Sequence, residues 1–200
     1  MIKTGIYGGT FNPPHLGHVL AAESFSRAIS PDEFLIIPDF LPPHKDFVGN
    51  VSPEDRIEMC RLAFSHIENV SVSDIEIKRG GRSYTAITLA ELSRADRELY
   101  FLCGTDMFVS MDEWFHPEEI FKYAVICVVR RESDSLMTSL IDECKKRYIE
   151  KYGARVVLID SNVKEISSTD SRTNLKNGIS ALEYIPKSVN DYILAKGLYR

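Results

Sequence analysis

Between residues 8 and 18 the chain reads GGTFNPPHLGH, and the residue types there suit the handling of an anion. Gly8 and Gly9 let a backbone come close to a ligand or take up positive φ. The Thr10 hydroxyl can bond a phosphate oxygen. His15 and His18 flank Leu16-Gly17, and at that spacing they would share a face on an opening helical turn. Two imidazoles beside a helix amino terminus can contact a polyphosphate and stabilise charge at a phosphorus under attack. A lone histidine or glycine pair is commonplace in turns and cores. Their concurrence in one loop is what indicates chemistry.

A second stretch, ISSTDSR at 166–172, has the same character. Ser167, Ser168 and Thr169 are good N-cap residues, so a helix is expected to start there. Its unpaired backbone N–H groups, the hydroxyls and Arg172 could together hold phosphate oxygens.

The elements around these stretches alternate. Residues 2–7 are short and β-rich, 8–14 form a loop, and an apolar set from Leu16 to Ile29 recurs at helical spacing before Pro31. EFLIIP at 33–38 reads as a buried strand. Ser52 caps a helix with Pro53 at its first position, its inner face drawn from Ile57, Cys60 and Phe64. Residues 70–77 alternate like a strand, KRGGR at 78–82 is a turn, and Tyr84–Leu92 suits a helix. Strands at 98–106, 124–130 and 154–159, a charged amphipathic helix at 136–152 and two shorter closing helices complete the order. Such alternation implies a mostly parallel sheet with helices on both faces. In such a sheet ligands bind beyond the carboxyl ends of strands, which is where the first loop lies.

Bulk properties narrow the function classes. The chain has 200 residues, with 24 Lys plus Arg against 29 Asp plus Glu, a formal charge of −5. That balance argues against a nucleic-acid binder, which normally carries a basic excess. No apolar run approaches the ~18 residues of a membrane span, and the amino terminus lacks a secretory apolar core, so a soluble cytoplasmic protein is expected. Cys60, Cys103, Cys127 and Cys144 are scattered without a CxxC pair, which suits buried reduced thiols rather than zinc ligands or a disulfide framework.

The string GGTFNPPHLGH resembles the [T/H]xGH element of the nucleotidylyltransferase superfamily, and in full it is similar to that of bacterial nicotinate-nucleotide adenylyltransferases. ISSTDSR resembles the ISSTxxR element of the same superfamily, so the likeness spans nearly the whole chain. Asn12 stands where many members have Asp. The resemblance implies an α/β fold: a single doubly wound, Rossmann-like domain over residues 1–200. It places Gly8, Gly9, Thr10, Phe11, His15 and His18 at ATP, with His15 and His18 catalytic. Ile166, Ser167, Ser168, Thr169 and Arg172 would grip its β- and γ-phosphates. In GTDMFVSMDEWF at 104–115, which resembles the family's GxD segment, Gly104 and Asp106 would face the ATP ribose. For the acceptor, LPPHK at 41–45 resembles a proline-rich loop that sets Lys45 at its phosphate. RSYTAITL at 82–89 resembles a segment whose Thr85 holds the nicotinate carboxylate, with Ile87 where the family usually has Asp. Trp114 would stack on the pyridine ring.

The implied reaction joins ATP to nicotinate mononucleotide, giving nicotinate adenine dinucleotide and pyrophosphate in NAD biosynthesis. Mg²⁺ would arrive with ATP, without a protein ligand, and neither nucleic acid nor membrane would take part. Homo-oligomerisation is left open. Two alternatives stand beside this reading. One is a related nucleotidyltransferase acting on nicotinamide mononucleotide, phosphopantetheine or another small phosphate ester. The other is a nucleotide sensor without catalysis.

Overall fold

The computed structural model describes residues 1–43, 51–130, 135–161, 166, 168–177 and 181–199. In chain order its elements begin with β1 (Ile2–Gly9), α1 (Leu16–Ile29), β2 (Glu33–Pro38), α2 (Pro53–Phe64), β3 (Val70–Val72), α3 (Ile75–Arg79) and α4 (Thr85–Leu92). They continue with β4 (Arg97–Gly104), α5 (Thr105–Val109), a 3-10 turn at Met111–Glu113, α6 (Pro117–Tyr123), β5 (Ala124–Arg130), α7 (Ser135–Tyr152), β6 (Arg155–Asp160), α8 (Ser168–Lys176) and α9 (Lys187–Lys196). The strands form one 6-stranded sheet in the order β3-β2-β1-β4-β5-β6, every pair parallel.

Apolar residues lie on both faces of the central strands. Val125, Cys127 and Val129 of β5 join one core with Phe25, Phe34, Phe64 and Val189, under α1, α2 and α9. Ala124, Ile126 and Val128 join the other with Leu89, Phe108, Ile120 and Tyr148, under α4 to α7. That two-sided burial explains why β2 and β5 read as unbroken apolar runs instead of alternating ones. The four cysteines are free and buried, and burial pushes the Cys127 thiol up to about 12. Among the described residues no helix is long and apolar enough to cross a membrane.

The expected strand at 70–77 is shorter than its alternation suggests. β3 pairs only with Phe34–Ile36, and the chain then turns into α3, so Lys78 and Arg79 are helical and the turn narrows to Gly80 and Gly81. The cause lies in the neighbouring strand. Phe34 donates its backbone N–H to Asn69 at 2.8 Å, so even-numbered donors of β2 face β3, and the next after Ile36 is Pro38, which has no N–H. The ladder ends there. The short helices α5 and α6 were also absent from the sequence pattern, because 5 and 7 residues are too few to establish a helical period.

Candidate active site

β1 and β4 lie side by side at the centre of the sheet, and their following helices cover opposite faces. Loops that diverge at such a switch point leave a crevice beyond the strand ends. Here the crevice is a cleft of about 520 Å³. Its walls include Tyr7 to Asn12, His15 and His18 from the first loop, Gly104 and Met107 after β4, and Thr169 and Arg172 from α8. Asp39, Glu76, Ser83, Tyr84, Thr85, Trp114 and Phe115 close the remaining side.

The two histidines form a reciprocal helix cap. His15 is the N-cap of α1 rather than part of its first turn, and its Nδ1 accepts from the His18 backbone N–H at 3.2 Å. His18 Nδ1 accepts in return from the His15 backbone N–H at 3.1 Å. The rings stack with centroids 3.5 Å apart and planes 20° from parallel. An Nδ1 that accepts carries no proton, so in the neutral rings the proton sits on Nε2. Both neutral rings therefore carry their N–H at Nε2. Gly17 makes room for this arrangement: a Cβ there would lie 3.0 Å from His15 Nδ1.

Gly8 and Gly9 both line the cleft, and of the two uses expected of them positive φ is not taken up. Neither Gly8 nor Gly9 has positive φ; that conformation falls on Phe11, at φ 45°. A left-handed non-glycine residue costs about 1–2 kcal/mol, so its surroundings must hold it. The Phe11 ring is 1% exposed and packs edge-on against Tyr7, His18 and Phe64. A Cβ on Gly9 would meet that ring at 3.0 Å, so Gly9 serves this packing.

Polar groups beneath the loop went unnoticed in the sequence. Arg56 of α2 is 0% exposed and occupies the inner face that Ile57 was expected to share; Ile57 is only half-buried. Its Nη1 donates to Thr10 O at 3.0 Å and to Asp39 Oδ1 at 3.1 Å, and its Nη2 donates to Asp39 O at 2.6 Å. Thr10 Oγ1 donates to Asp39 Oδ2 at 2.7 Å. Burial raises the Asp39 carboxyl above its ordinary range, against the opposing pull of Thr10 and Arg56. The one available signal was that Arg56 shares the helical stripe of Met59, Cys60 and Ala63.

Arg172 connects the two motif stretches. Its Nη1 donates to Asn12 O at 2.8 Å across 160 residues of sequence, and its Nη2 donates to Thr169 Oγ1 at 3.1 Å. On the far wall Tyr84 is the N-cap of α4 and stacks on Phe115 at 4.3 Å, while Trp114 meets Phe101 edge-on at 6.4 Å. Buried Glu76 accepts from Thr88 Oγ1 at 2.5 Å, and desolvation raises its carboxyl above the ordinary range.

The other sequence candidates divide. Thr85 and Gly104 line the cleft, but Asp106 is exposed on α5 and is not among the lining residues. Ile166 is half-buried and also outside the lining, as is Ile87. Ser168 begins α8. Lys45 and Ser167 lie outside the described residues. Among the described residues no three His, Cys, Asp or Glu side chains gather as a metal site.

Comparison with known proteins agrees with this architecture. A sequence model described as cytidylyltransferase-like matches residues 6–174. The chain is 36% identical over 203 aligned residues to a protein of Caldicellulosiruptor saccharolyticus named probable nicotinate-nucleotide adenylyltransferase, with 100% of both chains covered. A protein of the same name from Lachnoclostridium phytofermentans is also 36% identical, again over 100% of both. In three dimensions the chain is similar to the nicotinic acid mononucleotide adenylyltransferase of Plasmodium falciparum complexed with NaAD. The TM-score is 0.76 at 18% identity, covering 100% of this chain and 98% of that one.

Proposed function

The chain belongs to the nicotinate-nucleotide adenylyltransferases of the cytidylyltransferase-like family, and on that premise we propose that it adenylylates nicotinate mononucleotide in the cleft between the β1 and β4 loops. The reaction is an in-line displacement. An oxygen of the acceptor 5′-phosphate attacks the α-phosphorus of ATP, the bond from that phosphorus to the β-phosphate oxygen breaks, and pyrophosphate leaves. The products are nicotinate adenine dinucleotide and pyrophosphate.

A phosphate monoester is already anionic near neutral pH, so the nucleophile needs no strong base. Catalysis then consists of positioning and charge stabilisation. The Nε2–H groups of His15 and His18 donate to the oxygens on the reacting phosphorus, where negative charge builds in the transition state. Thr169, Arg172 and the amino-terminal N–H groups of α8 hold the leaving phosphates. A guanidinium has five N–H groups, so Arg172 can keep its tether to Asn12 and still engage an anion. Mg²⁺ enters as part of the ATP substrate and neutralises its charge. Thr85 and the start of α4 face the acceptor, with Trp114 against its ring.

The observation carrying this assignment is the stacked histidine pair, whose hydrogen bonds commit both rings to donating from Nε2 in the cleft that Arg172 also lines. The test is pyrophosphate release on mixing the protein with ATP, Mg²⁺ and one acceptor at a time. Rapid release with nicotinate mononucleotide and slower release with nicotinamide mononucleotide is the expected result. Release with neither overturns the assignment, and preference for the amide overturns its acceptor.

A further inference from the structure

Phe11 turns the first loop through a left-handed conformation, and the carbonyl oxygens of the residues on either side of it, Thr10 and Asn12, are both held by guanidinium groups. Arg56 donates to Thr10 O at 3.0 Å, and Arg172 donates to Asn12 O at 2.8 Å. Tyr199 adds a third hold, donating its hydroxyl to Asn12 Oδ1 at 2.6 Å across 187 residues of sequence. Burial pushes the phenol well above its ordinary range, so the hydroxyl keeps its proton and remains a donor. Neither Arg56 nor Tyr199 is among the residues lining the cleft.

We propose that Arg56 and Tyr199 are positioning residues that hold the Thr10–Asn12 turn, and through it the loop backbone and Arg172, in place for the phosphates of ATP. Arg56 acts from below on Thr10, directly at its carbonyl and indirectly through Asp39, which accepts from the Thr10 hydroxyl. Tyr199 acts on the side chain of the residue whose carbonyl accepts from Arg172. Release of either hold lets Phe11 relax toward ordinary backbone angles, and the loop backbone and Arg172 move apart. This rests on reading the cleft as the adenylyl-transfer site. It predicts damage confined to the ATP side, because the acceptor wall at Thr85 and Trp114 belongs to other elements.

Tyr199→Phe tests the hold with the least disturbance, since only the hydroxyl is lost. The ATP dissociation constant, measured by calorimetry with Mg²⁺ and no acceptor, should rise about five- to tenfold, the scale of one buried hydrogen bond. The KM for ATP should rise alike, and the KM for nicotinate mononucleotide should stay within about twofold. Arg56→Lys, which keeps the charge but loses the planar fork, should show the same split. If it does not fold, Tyr199→Phe alone decides. A merely structural role would lower the melting midpoint and leave the KM for ATP of the folded enzyme unchanged; that result, or equal rises for both substrates, overturns the inference. Wild-type protein that binds ATP but releases no pyrophosphate refutes the adenylyl-transfer reading, and the calorimetric comparison still decides the positioning role.

Discussion

Replacing Gly17 by alanine should slow catalysis while leaving the fold as stable as before. Gly17 is the second residue of α1 and has no positive φ, so alanine meets no backbone strain and gains up to about 1 kcal/mol of helix propensity. The added Cβ would stand 3.0 Å from His15 Nδ1 and 3.1 Å from its Cε1, and 3.7 Å from Ile166 Cβ. The last is an ordinary contact, but the first two oblige the imidazole to shift by a few tenths of an ångström. The bond from the His18 N–H to His15 Nδ1 is already 3.2 Å long, at the outer end of the normal range, so the shift breaks it. Losing an N-cap bond costs about 1 kcal/mol, which offsets the propensity gain. Stability should therefore change by under about 1 kcal/mol, or a few degrees in melting midpoint for a chain of this size. Catalysis has no such offset. Deleting an aligned transition-state donor costs about 10²–10³-fold, and misplacing one by a fraction of an ångström should cost about 10–10²-fold in kcat. Steady-state pyrophosphate release at saturating ATP and acceptor, beside a thermal melt, reads both quantities. A Gly17→Ala protein with wild-type kcat would refute the claim that the histidine pair acts as an aligned donor set.

Three further outcomes follow from the same geometry. His18→Ala should reduce turnover at least about 10²-fold, and a loss of only a few-fold would remove its Nε2–H from the transition state. Trp114→Ala should chiefly raise the KM for the acceptor, since its indole lines the cleft; an unchanged value would take it out of the acceptor pocket. Glu76 has a carboxyl raised by desolvation, so its contribution to stability is fully present below its unfolded value near 4.5 and is lost as pH rises through the folded value. Glu76→Gln should therefore gain stability relative to wild type as pH increases across that window, as read by denaturant melts; a relative loss with rising pH would contradict the assigned direction.

Local features were legible where short-range rules dominate. The apolar spacing from Leu16 to Ile29 and the run at 33–38 coincide with α1 and β2, and Ser52 caps α2 by accepting from the Asp55 N–H. Periodicity failed at 70–77, because Pro38 on the neighbouring strand ends a ladder that the alternation alone would continue. It also set Ile57 on the inner face of α2, where Arg56 lies instead. A charged side chain is expected in water, but Thr10 O and the Asp39 carbonyl and carboxylate help to compensate its burial. The motifs marked His15, His18, Thr169 and Arg172, and these four do line one cleft; Asp106, marked by the same resemblance, lies outside its lining.

The sequence by itself determined the inventory: a glycine-, threonine- and histidine-bearing loop after a first strand, and a second helix start carrying an arginine. These are properties of neighbours in the chain, governed by steric preference, capping and the period of apolar residues. Only the tertiary structure decided which arginine is buried, and that Asn12 is held by Arg172 and Tyr199 together. Those facts depend on hydrogen bonds between groups 17 to 187 residues apart and on water being excluded around them, and no pattern of adjacent residues encodes either.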